Sequence, residues 1–319
     1  MTATTALITA DSFPTPHLAL RTDDPDEIAR IATFADRQAE TAETLRLRLA
    51  PEWSGSDQLR RLTLLRGLHA EATAWRRGLA LQTPRRLGEG LPLDVARFTT
   101  TLRDGGPNYD RIGDIGRLKV KPEWDAATRT YQNGRWTHAY QVMADYGAAA
   151  KSRFDREAST EDVLENVVRM NSAGRTITGN RIVRRGAARG IADALLARTA
   201  ARGRDTSRLE DGGELMYVVT ADPDDADTMF NIALTLLAGA GELAPLARLT
   251  AWQQARYLLY QAPRYKKGSD AVTRVFLVAV GALLFGRPPI LQQDVDLQCM
   301  VLGQPASTEM DGDTALVRP

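Results

Sequence analysis

Apolar residues three and four positions apart constrain this chain more than any other feature. Leu59, Leu62, Leu65, Leu68, Ala72, Trp75 and Leu79 fall on one stripe, which is the signature of an amphipathic helix. Start and stop signals frame further helices. Asp24 can cap a helix whose first position is Pro25, and that helix should run to about Ala50, where Pro51 stops it. A shorter helix follows Pro92 through Val95, Phe98 and Leu102. Thr137 to Phe154 forms another. Ser159 with Asp162 reads as a capping box before Val163, Leu164, Val167, Val168 and Met170. Asn180 to Arg202 continues the pattern. Asp222-Pro223 opens a helix through Phe230, Ile232, Leu234 and Leu237, and Pro245 opens one that ends before Pro263. Ser269 caps an apolar helix over 270–285, closed by Gly286, Pro288 and Pro289. The expected fold class is therefore all-α.

One stretch breaks the pattern. Asp104-Gly105-Gly106-Pro107-Asn108 is turn chemistry, and Leu118-Lys119-Val120-Lys121 alternates like a strand. Asn133-Gly134, between Thr130-Tyr131 and Trp136-Thr137, is the dipeptide of a type I′ hairpin. Leu215 to Thr220 reads as one further strand. The expected organisation is an extended arm at 1–22, a helical part at 23–104, a hairpin connector at 105–136, a second helical part at 137–302 and a loose tail at 303–319. No internal repeat recurs at a fixed period.

Composition narrows the class. Cys299 is the only cysteine, so a disulfide scaffold is excluded. The longest apolar run, Val275 to Phe285, is well short of the roughly 18 residues that cross a bilayer. No Lys or Arg precedes an apolar stretch in the first twelve residues, so no secretory n-region is read there. A cytoplasmic location is expected, or a virion if the chain is coat-like, with no membrane partner.

Charge is unevenly placed. The net charge is +1, yet Arg169 to Arg208 carries ten arginines against Asp193 and Asp205, a net of +8 that leaves −7 elsewhere. Such asymmetry is the footprint of a phosphate-binding surface, because clustered cations release counterions from a polyanion. Read as one helix, the segment puts Arg181, Arg185 and Arg189 on one face with Arg184 beside them. Arg175 and Arg198 flank that face. These six arginines are the expected nucleic-acid site. A second candidate is Arg264, Tyr265, Lys266 and Lys267, where cations follow the aromatics Trp252, Tyr257 and Tyr260.

Motifs for chemistry are scarce. Asp222, Asp224, Asp225 and Asp227 fit no Ca²⁺ loop. Gly239-Ala240-Gly241 matches a loose dinucleotide fingerprint but follows a helical pattern rather than a strand. His17, His69 and His138 lie far apart in sequence, and no zinc motif is present. No metal, cofactor or catalytic residue is assigned. The expectation is binding rather than chemistry: a coat- or nucleocapsid-like protein that holds the nucleic-acid backbone and forms homo-oligomers through its arms. The alternatives are an enzyme with a helical active site, marked by a pocket holding Arg274 or the Asp222–Asp227 acids, and a regulatory or scaffold protein that docks another protein.

Overall fold

The apolar run at 275–285 lies inside a helix buried on almost every side in the computed structural model of the protein. The structure describes residues 7–82, 95–170 and 176–318. The elements in chain order are α1 (Pro25–Ala32), α2 (Phe34–Trp53), α3 (Gln58–Gln82), α4 (Leu102–Gly105), β1 (Tyr109–Ile112), β2 (Glu123–Asp125), β3 (Thr130–Gln132), α5 (His138–Glu157), β4 (Val163–Arg169), β5 (Thr176–Arg184), α6 (Arg185–Ala200), β6 (Met216–Val219), α7 (Pro223–Ala240), α8 (Pro245–Gln261), α9 (Ser269–Phe285), α10 (Val295–Val301) and α11 (Gln304–Thr308).

α2, α3 and α8 pack against α9, and α7 packs against α3 and α8. Leu45, Leu65, Leu68, Phe230, Leu234 and Leu258 meet Val275 and Phe276 in one apolar core. Each such side chain contributes about 1.5–3 kcal/mol by leaving water. Gly286 ends α9 at φ 68°, and its N–H donates to the carbonyl of Ala282. Asp24 caps α1 as its position dictates, accepting from the N–H groups of Asp26 and Glu27. The first helical run breaks at Thr33, and α2 then carries Pro51 inside its last turn rather than ending before it.

The all-α expectation is overturned. Of the described residues 59% are helical and 12% are in strands, and they contain a four-stranded and a two-stranded antiparallel sheet. The larger sheet runs β1-β6-β5-β4. One face carries Ile112, Leu164, Ile182, Met216 and Val218 against Tyr140, Met143, Ala150 and Phe154 of α5. The other face packs Val183, Tyr217 and Val219 against Ala188 and Ala192 of α6.

β4 is where the capping-box reading fails. Leu164, Asn166 and Val168 are buried while Val163, Glu165, Val167 and Arg169 are exposed. Period two wins over the coincident 163/164/167/168 spacing, because β-branched side chains suit a half-buried pleat. Asp162 instead accepts from the N–H of Gly186 at 3.0 Å. The helix expected over 180–202 starts only at Arg185, and Thr176–Arg184 is strand β5. Arg185, at φ 48°, makes the abrupt turn between the two.

The small hairpin is β2–β3, with Asp125 opposite Thr130. Its tip is therefore at 126–129 and not at Asn133-Gly134. Those two residues, at φ 54° and 77°, turn the chain after β3 so that Arg135 pairs with Val120. Leu118 belongs to a short 3-10 turn, and the strand expected over 118–121 is reduced to that one bridge. The expected arm and tail are packed wherever they are described. Ile8, Ser12 and Phe13 are buried at one end, and Ser307, Asp313 and Leu316 at the other. No helix among the described residues is long and apolar enough to cross a membrane.

Candidate anion-binding cleft

The arginines of the basic segment do not form a strip. Arg181 sits on β5 and pairs with Asp222 at 3.3 Å. Arg184 donates to the carbonyls of Ala158, Ser159 and Glu161 and stacks over the ring of Phe154. Arg185 lies 3.9 Å from Asp162. Arg189 reaches Asp193 at 3.1 Å and Asp211 at 3.2 Å. With the segment divided between a strand and a helix, the spacing-four argument holds only for Arg185 and Arg189 on α6 and no longer includes Arg181 on β5. Arg198 is exposed on α6. Arg175 lies outside the described residues. The acids at 222–227 are drawn into the same balancing: Arg103 holds Asp224 at 2.6 Å and Asp227 at 3.1 Å.

The second candidate group divides differently. Arg264 pairs with Asp227 at 3.2 Å and lies over the ring of Phe230. Tyr265, Lys266 and Lys267 line a cleft of about 430 Å³. Trp252, Tyr257 and Tyr260 are core residues of α8.

Eight separate parts of the chain build that cleft. The loop before α9 is held by Thr100 and Leu102, through the hydrogen bonds Leu102 N–H to Arg264 O and Lys266 N–H to Thr100 O. Its last residue, Gly268, is at φ 81°, and a Cβ there would stand 2.8 Å from the ring of Phe98. Arg97 enters from the 3-10 turn Val95–Phe98, Asp110 from β1, Arg117 from the 3-10 turn Gly116–Leu118, and Arg21 from the N-terminal segment. Asp270 stands at the start of α9, and Asp296 on α10. The remaining lining includes Leu18, Ile115, Leu118, Met143, Leu297 and Met300. The cleft therefore has an apolar portion beside a cationic one.

Its electrostatics differ from those of the basic segment. Among the described residues, Arg21, Arg97 and Arg117 make no ion pair with a carboxylate, and all three are exposed. Burial and the nearby charge of Arg117 lower the pKa of Arg21. Burial, Arg97 and Arg198 lower that of Lys266, whose Nζ donates to the carbonyls of Gly106 and Pro107 at 2.9 and 2.8 Å. Asp110 is exposed to the cleft, and desolvation by the surrounding protein raises its pKa against the pull of Lys266 and Arg97. Asp270 accepts from Arg274 Nε at 2.9 and 3.1 Å and from Tyr260 Oη at 3.2 Å. Asp296 lies 4.0 Å from the same guanidinium and is pushed up to about 7 by burial and by the charge of Asp270.

Sequence reasoning found Tyr265, Lys266 and Lys267 and missed Arg21, Arg97, Asp110, Arg117 and Asp296. No motif joins these five residues, since only the tertiary fold brings them together. The same holds for His17 and His138, read as distant and in fact stacked with centroids 5.9 Å apart. Among the described residues no group of three His, Cys, Asp or Glu side chains could hold a metal ion. The sequence matches no protein-family model and no curated protein.

Proposed function

We propose that the protein binds a phosphorylated small molecule, a mononucleotide or sugar phosphate, in the cleft before α9. The observation that carries this reading is the gathering of Arg21, Arg97 and Arg117 with Lys266 around one concavity, where the three arginines make no salt bridge among the described residues. Like charges held together at a free-energy cost are best explained by an anion that relieves them. The volume falls within the range of small-ligand pockets, and the apolar portion suits the non-phosphate part of such a ligand. The N-terminal end of α9 adds a favourable field for negative charge.

Calorimetric titration tests the reading with adenosine monophosphate, adenosine and a single-stranded oligonucleotide. The monophosphate is expected to bind, adenosine to bind at least tenfold more weakly, and Arg117→Glu or Arg97→Glu to abolish the monophosphate signal. The polyanion and coat-like reading rests on the exposed Arg185, Arg189 and Arg198 of α6. Tight oligonucleotide binding that survives Arg117→Glu and is lost in Arg185→Glu/Arg198→Glu would transfer the function to α6 and overturn the cleft assignment.

A further inference from the structure

Beneath the cations of the cleft, two carboxylates share one guanidinium, and only one of them is in close contact with it. Asp270 takes the near side of Arg274, while the Oδ1 of Asp296 stands 4.0 Å away. Arg274 directs its other nitrogens to the carbonyls of Gln292 and Gln293 at 3.0 and 2.8 Å. Asp296 is enclosed on all sides but the one facing the cleft, with its side chain 16% exposed. Its charged and titratable neighbours are Asp270 and Arg274 from α9, Tyr260 from α8, Tyr146 from α5 and Cys299 one turn further along α10. Arg21, Arg117, Lys266 and Lys267 line the same cleft.

Resting on the reading that this cleft takes a phosphorylated ligand, we infer that Asp296 is its proton-carrying residue: the carboxyl is protonated when the ligand is bound and offers its O–H to a ligand oxygen. The argument is one of charge. Asp270 is hydrogen-bonded by both Arg274 and Tyr260 and holds the near side of the guanidinium. Asp296 lacks that close pairing and borders the same carboxylate, so it is the member of the pair that takes up a proton. A dianion entering the cleft adds like charge and drives the uptake further. The balance is simple: one proton leaves solvent and joins the Asp296 carboxylate as the anion binds. By linkage, anion affinity then falls as pH rises above the carboxyl's own titration.

The experiment is calorimetry of adenosine monophosphate binding at pH 7.5, in two buffers of different ionisation enthalpy. At that pH the ligand is already almost wholly dianionic. Wild type is expected to take up roughly half a proton per ligand, and to lose affinity by up to about tenfold per pH unit above neutrality. Asp296→Asn keeps the shape and a donor. It is expected to bind without proton uptake and with a flat pH profile. Binding with no uptake, or with the same uptake in Asp296→Asn, overturns this inference and leaves the cleft assignment standing. Absence of binding to wild type overturns both. Should Asp296→Asn fail to fold, carbon-13 NMR of labelled aspartate in the wild type replaces it: the Asp296 midpoint must rise on ligand addition, and an unchanged midpoint overturns the inference.

Discussion

His69 shows how one side chain can make the whole fold sensitive to pH. It sits on α3 with its ring edge-on to Phe230 and Phe276, at centroid distances of 4.9 and 5.5 Å. Burial, aided by the charge of Arg264, lowers its pKa from 6.5 to about 4. The folded protein thus refuses a proton that the unfolded chain accepts near 6.5. The stabilisation that follows is complete above 6.5 and is lost as pH falls toward 4. At one pKa unit per about 1.4 kcal/mol, the loss between pH 7 and pH 5 is about 2 kcal/mol from this residue alone. Urea unfolding at the two pH values measures it. His69→Leu should lose about 2 kcal/mol less than wild type over that interval, and an equal loss in both proteins would remove His69 as the cause.

At the scale of elements, the sheet is attached to the helical body by a buried chain of amides. Asn166 Nδ2 donates to Asn180 Oδ1 at 2.9 Å, and both side chains donate to the carbonyl of Met300 at 2.8 Å. Gln261, at the end of α8, accepts from the backbone N–H of Asn180 at 2.9 Å and donates to the carbonyl of Cys299. Gln261→Leu strands a buried N–H and a buried C=O, each costing about 1–3 kcal/mol. The expected result is a stability loss of about 2–5 kcal/mol in denaturant, with faster hydrogen exchange at the Asn180 amide; unchanged exchange there would argue against the linkage. This network also explains which elements the sequence reveals. Helices such as α3, α7, α8 and α9 are set by apolar spacing, Pro starts and a Gly stop, all of them local. β4 and β5 are set by partners outside the two strands: Asn166 is satisfied by Arg153 and Met300, and Asn180 by Gln261 and Met300. The cleft is less legible still. Lys266 and Lys267 announce themselves as adjacent cations, but Arg97, Arg117 and Arg21 are single residues in three turns, and nothing local distinguishes them from surface arginines.

At the scale of the whole molecule, the chain's last segment is structural rather than an appendage. Asp313 receives Arg256 Nη1 at 2.7 Å and Nη2 at 2.8 Å, Gln253 Nε2 at 2.9 Å and the backbone N–H of Met310 at 3.0 Å. The ion pair is almost fully enclosed, with side chains 2% and 6% exposed. Arg256 also donates to the carbonyl of Thr308, so the tail supplies several of the acceptors its guanidinium uses. A buried pair of this kind adds little net stability compared with apolar residues of the same size, but removing one partner leaves an uncompensated charge in the interior, at a cost of about 3–5 kcal/mol. Asp313→Ala is therefore expected to lower unfolding free energy by about that much. Truncation after Leu302 should lower it further, because Met310 and Leu316 also leave the core. The double variant Arg256→Met/Asp313→Leu removes both charges and should recover most of the loss. A segment that served only to join copies of the chain would behave differently: truncation would alter the oligomeric state by ultracentrifugation and leave the monomer's denaturation midpoint where it was. The coordination of Arg256 by Asp313 and Thr308 makes a fall in that midpoint the expected result, with the buried guanidinium as its cause.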